Sequence, residues 1–86
     1  MDAREAIVLA KRYVSEYFAD EGISNVGLEE ITSDNGVWEV TIGFSRPWDS
    51  VRDAQSVITG APTLQRSYKK VQIHNPGGEL IGILSR

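Results

Sequence analysis

Ser33-Asp34-Asn35-Gly36-Val37-Trp38-Glu39-Val40-Thr41-Ile42-Gly43-Phe44 decides the fold. Asn-Gly between two β-rich runs is the strongest short hairpin signal, because a type I′ turn needs positive φ at both central residues. After the turn, Trp38, Val40, Ile42 and Phe44 face one way and Val37, Glu39, Thr41 and Gly43 the other. Four large apolar side chains on one face of a strand require a surface to bury against. This is the central strand.

That surface lies upstream. Over residues 2–20, Ala3, Ala6, Ile7, Ala10, Tyr13, Val14, Tyr17 and Phe18 recur at three- and four-residue steps, the stripe of an amphipathic helix. Asp2 followed by Glu5 has the spacing of a capping box, with Asp in place of the usual Ser or Thr. Gly22 supplies the stop, since glycine adopts the left-handed conformation at little cost.

Residues 23–33 form the strand before the turn, and their alternation is faulty in an informative way. An Asn35-Gly36 turn pairs Ile31 with Val40. Continued without a break, the register sets Glu29 opposite Ile42 on the buried face, an unpaired charge costing several kcal/mol. One extra residue removes the conflict. With Glu29 and Glu30 together opposite Thr41, Leu28 meets Ile42 and Val26 meets Phe44, which predicts a β-bulge at Glu29-Glu30. Trp38 belongs to the core on this reading, and Trp38→Ala is expected to cost about 3–5 kcal/mol.

Downstream, residues 68–74 place Val71 and Ile73 on one face and Tyr68, Lys70, Gln72 and His74 on the other. Asn75-Pro76-Gly77-Gly78 reads as a four-residue turn into a closing strand at 80–84, apolar on both faces apart from Gly82 and so ambiguous in orientation. The connection 46–65 is too long for a hairpin. Ser50 and Asp53 have cap spacing, Val51, Ala54, Val57 and Ile58 a helical step, and Gly60 and Pro62 form a stop. A short second helix near 50–59 and an irregular loop both fit, because the β-branched Val57-Ile58-Thr59 run disfavours helix. One N-terminal helix on a curved four-stranded antiparallel sheet is an α+β, two-layer sandwich, a single domain over residues 1–86.

Composition limits the chemistry. The 86 residues contain no cysteine and one histidine, which leaves no thiolate site, no disulfide and no typical zinc set. Neither a cofactor nor a metal is expected. Ser67, His74 and Asp53 assemble a catalytic triad only on paper, since Ser67 and His74 fall on opposite faces of one strand and no nucleophile elbow is present. The glycines form no phosphate-cradling loop. The chain is expected not to be an enzyme.

Net charge is −3, which argues against a nucleic-acid partner. It is spread unevenly: residues 1–21 carry net −2, residues 22–65 net −4 and residues 66–86 net +3. Arg66, Lys69 and Lys70 cluster at the basic end. No apolar run approaches the roughly 20 residues that cross a bilayer, and no signal peptide is apparent, so a cytoplasmic location without a membrane partner is the expectation.

The arrangement resembles the cystatin-like group of folds, in which a sheet curls around one long helix. Tyr68-Lys69-Lys70-Val71-Gln72-Ile73-His74-Asn75-Pro76-Gly77-Gly78-Glu79-Leu80-Ile81-Gly82-Ile83-Leu84 resembles the final hairpin of small bacterial PepSY-type domains. Val37-Trp38-Glu39-Val40 followed by such a hairpin is similar to small nuclear-transport-factor-like bacterial immunity proteins. The first resemblance implies a binding or inhibitory module, often of proteases, and the second an inhibitor that occupies a toxin's active surface. Gln55-Ser56-Val57-Ile58-Thr59-Gly60 is similar to the cystatin Gln-x-Val-x-Gly loop, but is one residue longer, and Pro47-Trp48 precedes it instead of following.

The expected function is therefore a non-catalytic protein-binding module that regulates or neutralises a partner. The alternatives are a small-ligand pocket between sheet and helix, and a homo-oligomer pairing through a sheet face or edge. The connection 46–65 carries more apolar material than a solvated loop keeps, and the next strand adds an aromatic and a cation. Trp48, Val51, Val57, Ile58, Tyr68, Lys70, Gln72 and His74 are the predicted partner-binding residues.

Overall fold

The computed structural model describes residues 1–47 and 66–85. Helix α1 (Ala3–Tyr17) is followed by a 3₁₀ turn at Ala19–Glu21 and by strands β1 (Ser24–Asp34), β2 (Val37–Ser45), β3 (Ser67–His74) and β4 (Leu80–Ser85). The strands form one antiparallel sheet in the order β1-β2-β3-β4. The α+β architecture is the expected one. The expected second helix near 50–59 falls outside the described residues.

The capping box is formed. The Asp2 side chain accepts from the Glu5 N–H at 2.8 Å, and Glu5 Oε1 accepts from the Asp2 N–H at 3.2 Å. The helix buries Ala6, Ala10 and Val14, small side chains that let its axis approach the sheet closely. Two positions of the predicted stripe differ. Ala3 is exposed and Tyr17 is 64% exposed. The α-helix stops at Tyr17, three residues short of the predicted end, and the chain tightens into the 3₁₀ turn that Gly22 closes at φ 63°. That change of pitch carries Phe18 inward, its ring 5.4 Å from that of Phe44, and leaves Tyr17 outside.

Strand β2 is the centre of the sheet. Val40, Ile42 and Phe44 are fully buried on the helix side, joined there by Val71 and Ile73 of β3. Trp38 packs against this cluster but is only half-buried, because it lies one pair from the hairpin turn and faces Ser33 on β1. The turn has φ 50° at Asn35 and 76° at Gly36, the positive pair a type I′ turn requires.

The bulge lies where the buried-charge conflict put it. Leu28 pairs with Ile42, Glu30 with Thr41 and Ile31 with Val40, with Glu29 the extra residue. A second irregularity corrects the predicted pairing of Val26 with Phe44. Gly27 pairs with Gly43 and Ser24 with Ser45, so Asn25 and Val26 together span Phe44, and Asn25 has φ 56°. Asparagine tolerates that left-handed conformation better than most residues.

A bulge also resolves the orientation of β4. Gly82 pairs with Gln72 and Leu80 with Ile73, which leaves Ile81 as the extra residue. Leu80 and Ile83 therefore both pack on the core, although their spacing of three does not fit one face of a regular strand. The turn before β4 contains a cis peptide between Asn75 and Pro76. It is tied to the first hairpin by the Asn75 N–H donating to the Gly36 carbonyl at 2.8 Å. The Tyr13 hydroxyl donates to the Gly78 carbonyl at 2.7 Å and fastens the same turn to the helix.

Candidate functional site

Four of the predicted partner-binding residues, Tyr68, Lys70, Gln72 and His74, alternate along β3 with the buried Val71 and Ile73 and share the face turned away from the helix. The other four, Trp48, Val51, Val57 and Ile58, lie outside the described residues.

The β3 row is held by its neighbours. Gln72 pairs across the sheet with Glu39, and its Nε2 donates to Glu39 Oε2 at 2.9 Å. Lys70 stands between Thr41 on β2 and Leu84 on β4. His74 ends the strand, its Nδ1 3.4 Å from a carboxylate oxygen of Glu79, with both side chains more than half exposed.

Tyr68 lies across Gly43. A Cβ at Gly43 would fall 3.0 Å from the Tyr68 ring, 3.0 Å from Arg66 Nη2 and 3.1 Å from Glu29 Oε2, so this glycine makes room for three side chains. Arg66 donates to the Asn25 carbonyl at 2.8 Å and stands 4.0 Å from the Glu29 carboxylate. Both β1 bulges therefore supply groups to this end of the outer face. The sequence pointed to one of them. Thr41, Gly43 and Ser45 of β2 are buried beneath this layer. At the hairpin end, Asp34, Asn35, Val37, Glu39 and Gln72 line an open hollow of about 280 Å³.

Arg46 has a role the sequence reading missed. Its guanidinium lies 5.2 Å from the Phe44 ring centroid and 5.8 Å from that of Phe18, donates through Nε to Glu21, and through Nη1 to Ser67 Oγ at 2.9 Å. Lys69 Nζ sits 5.8 Å from the Phe18 centroid and donates to Ser85 Oγ at 3.0 Å. Two cations thus close one end of the core through its aromatic rings, a cation–π arrangement. A lone arginine after a strand gives no such signal, because Glu21 and Ser67 stand 25 and 21 residues away in sequence.

Ser67 and His74 stand at opposite ends of β3, seven residues or about 23 Å apart, and are not brought together. Asp53 lies outside the described residues. Among the described residues no three His, Asp or Glu side chains gather as a metal-binding group, and no helix is long and apolar enough to cross a membrane.

A second hollow, about 650 Å³ and open to solvent, runs along the helix between Met1, Arg4, Val8, Leu9 and Arg12 and the turn at 76–78. It lies beside the helix, not between helix and sheet. Comparison with protein-family models, curated proteins and solved structures returns no match for this chain. One helix on a four-stranded antiparallel sheet is compatible with the cystatin-like arrangement.

Proposed function

We propose that this chain is a non-catalytic protein-binding module that meets its partner with the outer face of β3 and regulates or neutralises that partner, as the PepSY-type and immunity-protein resemblances imply. The observation that carries the reading is the division of labour on β3. Val71 and Ile73 are fully buried, whereas Tyr68, Lys70, Gln72 and His74 stand in one row on the other face. An aromatic, a cation, an amide and an imidazole in line offer stacking, charge and hydrogen bonding along about 20 Å of strand. A small-ligand pocket between sheet and helix is disfavoured by Phe44, Ile42, Ile73 and Val14, which fill that layer.

Site-directed photo-crosslinking in the native host tests the proposal. A photoreactive residue at position 70 or 72 is expected to trap one defined protein, and the same residue at Val8, exposed on the helix, is expected not to. Lys70→Glu should abolish the crosslink from position 72 while the denaturation midpoint stays near that of the parent. Equal capture from position 8, or a crosslink indifferent to Lys70→Glu, would sink the proposal.

A further inference from the structure

The two edge strands of this sheet are built differently. β1 exposes Glu29, Glu30 and Asp34 and is broken by two bulges, devices that keep a sheet edge from pairing with another strand. β4 has neither charge nor proline between Leu80 and Ser85, and its one extra residue, Ile81, lies near its start. Ile81 and Leu84 are 53% and 48% exposed. Among the described residues β4 pairs with β3 alone, so its other side presents the N–H and C=O groups a further strand would take.

We propose that β4 pairs antiparallel with β4 of a second copy of this chain, about a two-fold axis at Ile83, joining two four-stranded sheets into one of eight. Charge selects a second copy in this orientation. The start of β4 carries Glu79, and its end lies beside two cations: Lys69, whose ammonium reaches the Ser85 hydroxyl, and Lys70, which pairs with Leu84. Antiparallel self-pairing lays each acidic start against the basic end of the other copy, twice by symmetry. A β1–β1 pairing would instead oppose carboxylates to carboxylates.

Shape agrees with charge. With Ile83 opposite Ile83 of the second copy, Leu84 stands opposite Gly82 of the second copy on the outer face. A Cβ at Gly82 would have only Gln72 Oε1 near it, at 3.8 Å, so each Leu84 has space to settle over the facing glycine. Cross-strand apolar contacts of this kind stabilise a pairing. The interface uses the edge of β4 and leaves the Tyr68–His74 row of β3 open, so it stands independently of the partner surface proposed above.

Sedimentation equilibrium on the full chain, from about 1 μM to about 1 mM, tests the assignment. The parent is expected to show a monomer–dimer equilibrium within that range. Leu84→Lys, which places like charges on the shared seam, should weaken dimerisation by about tenfold or more. Gly82→Val should do the same by filling the socket, and Val8→Lys on the helix should leave the constant unchanged. Lys69→Glu and Glu79→Lys should each weaken the dimer, and the double variant should recover most of the loss. That swap keeps the test decisive should a β4 substitution unfold the chain. A parent that stays monomeric throughout, a dimer indifferent to Leu84→Lys, species that grow without limit, or a double charge variant as weak as the singles would each overturn the proposal.

Discussion

On β2, consecutive residues face two different environments. Val40, Ile42 and Phe44 are sealed between sheet and helix, while Thr41, Gly43 and Ser45 are buried on the other face, where Tyr68, Arg66 and Glu29 stand over Gly43. The inner side is filled by large apolar side chains. The outer side is filled by small residues that let long polar ones lie across them. The difference teaches where each kind of free energy resides: stability is concentrated on the inner face, and groups suited to recognition stand on the outer one.

The largest expected effect breaks the inner face at its centre. Phe44→Ala removes a fully buried ring that also underlies Phe18 and Arg46, and is expected to cost about 3–5 kcal/mol. For a small domain that is a large share of the total, so the urea midpoint should collapse. Trp38→Ala, on the same face, should cost less, about 2–3 kcal/mol, because Trp38 is half-buried and its Nε1 has no hydrogen-bond partner. Equal losses for the two would mean that the hairpin end is packed as tightly as the centre.

This unequal packing also marks how far the sequence could be read. The hairpin, the alternation of β2 and the bulge at Glu29 were legible because each alternative carried a penalty: a strained turn, or a carboxylate among apolar side chains. The bulge at Asn25 and Val26 was not. Val26 is apolar and suits either register, so no misplaced charge betrays the extra residue. At the end of the helix, Tyr17 and Phe18 are adjacent and similar, and only the position of Phe44 decides which turns inward. For the candidate site, periodicity sufficed to put Tyr68, Lys70, Gln72 and His74 in one row. The layer that Arg66 and Glu29 form over Gly43 depends on pairings across the sheet, and no local pattern announces it.

A middle-sized effect sharpens the boundary between core and surface. Arg46 is a charged residue held against two aromatic rings with its fork divided between Glu21 and Ser67. Arg46→Ala is expected to cost about 1–2 kcal/mol, from the lost hydrogen bonds and cation–π contacts together. Arg46→Lys should recover only part of it, since an ammonium cannot reproduce the planar fork. Denaturant melts of the pair check this. A lysine variant as stable as the parent would mean that charge alone, and not the guanidinium geometry, closes that end of the core.

The smallest effect gives the cleanest contrast, because it compares neighbours on one strand. Lys70 and Val71 have the same strand environment along the backbone and differ in the face they occupy. Val71→Ala removes fully buried methyl groups facing Ile83 across the sheet and should cost about 2 kcal/mol. Lys70→Ala shortens a side chain on the outer row and should change stability by no more than about 0.5 kcal/mol, the range of ordinary surface substitutions. If the outer face is the partner surface, the order reverses for binding: Lys70→Ala should reduce the crosslink from position 72 while the folded fraction stays unchanged. Val71→Ala, in mild conditions where it remains folded, should leave that crosslink intact. A Lys70→Ala loss as large as that of Val71→Ala would show that the outer row is part of the structural core, and the division between the two faces would fail at its simplest point.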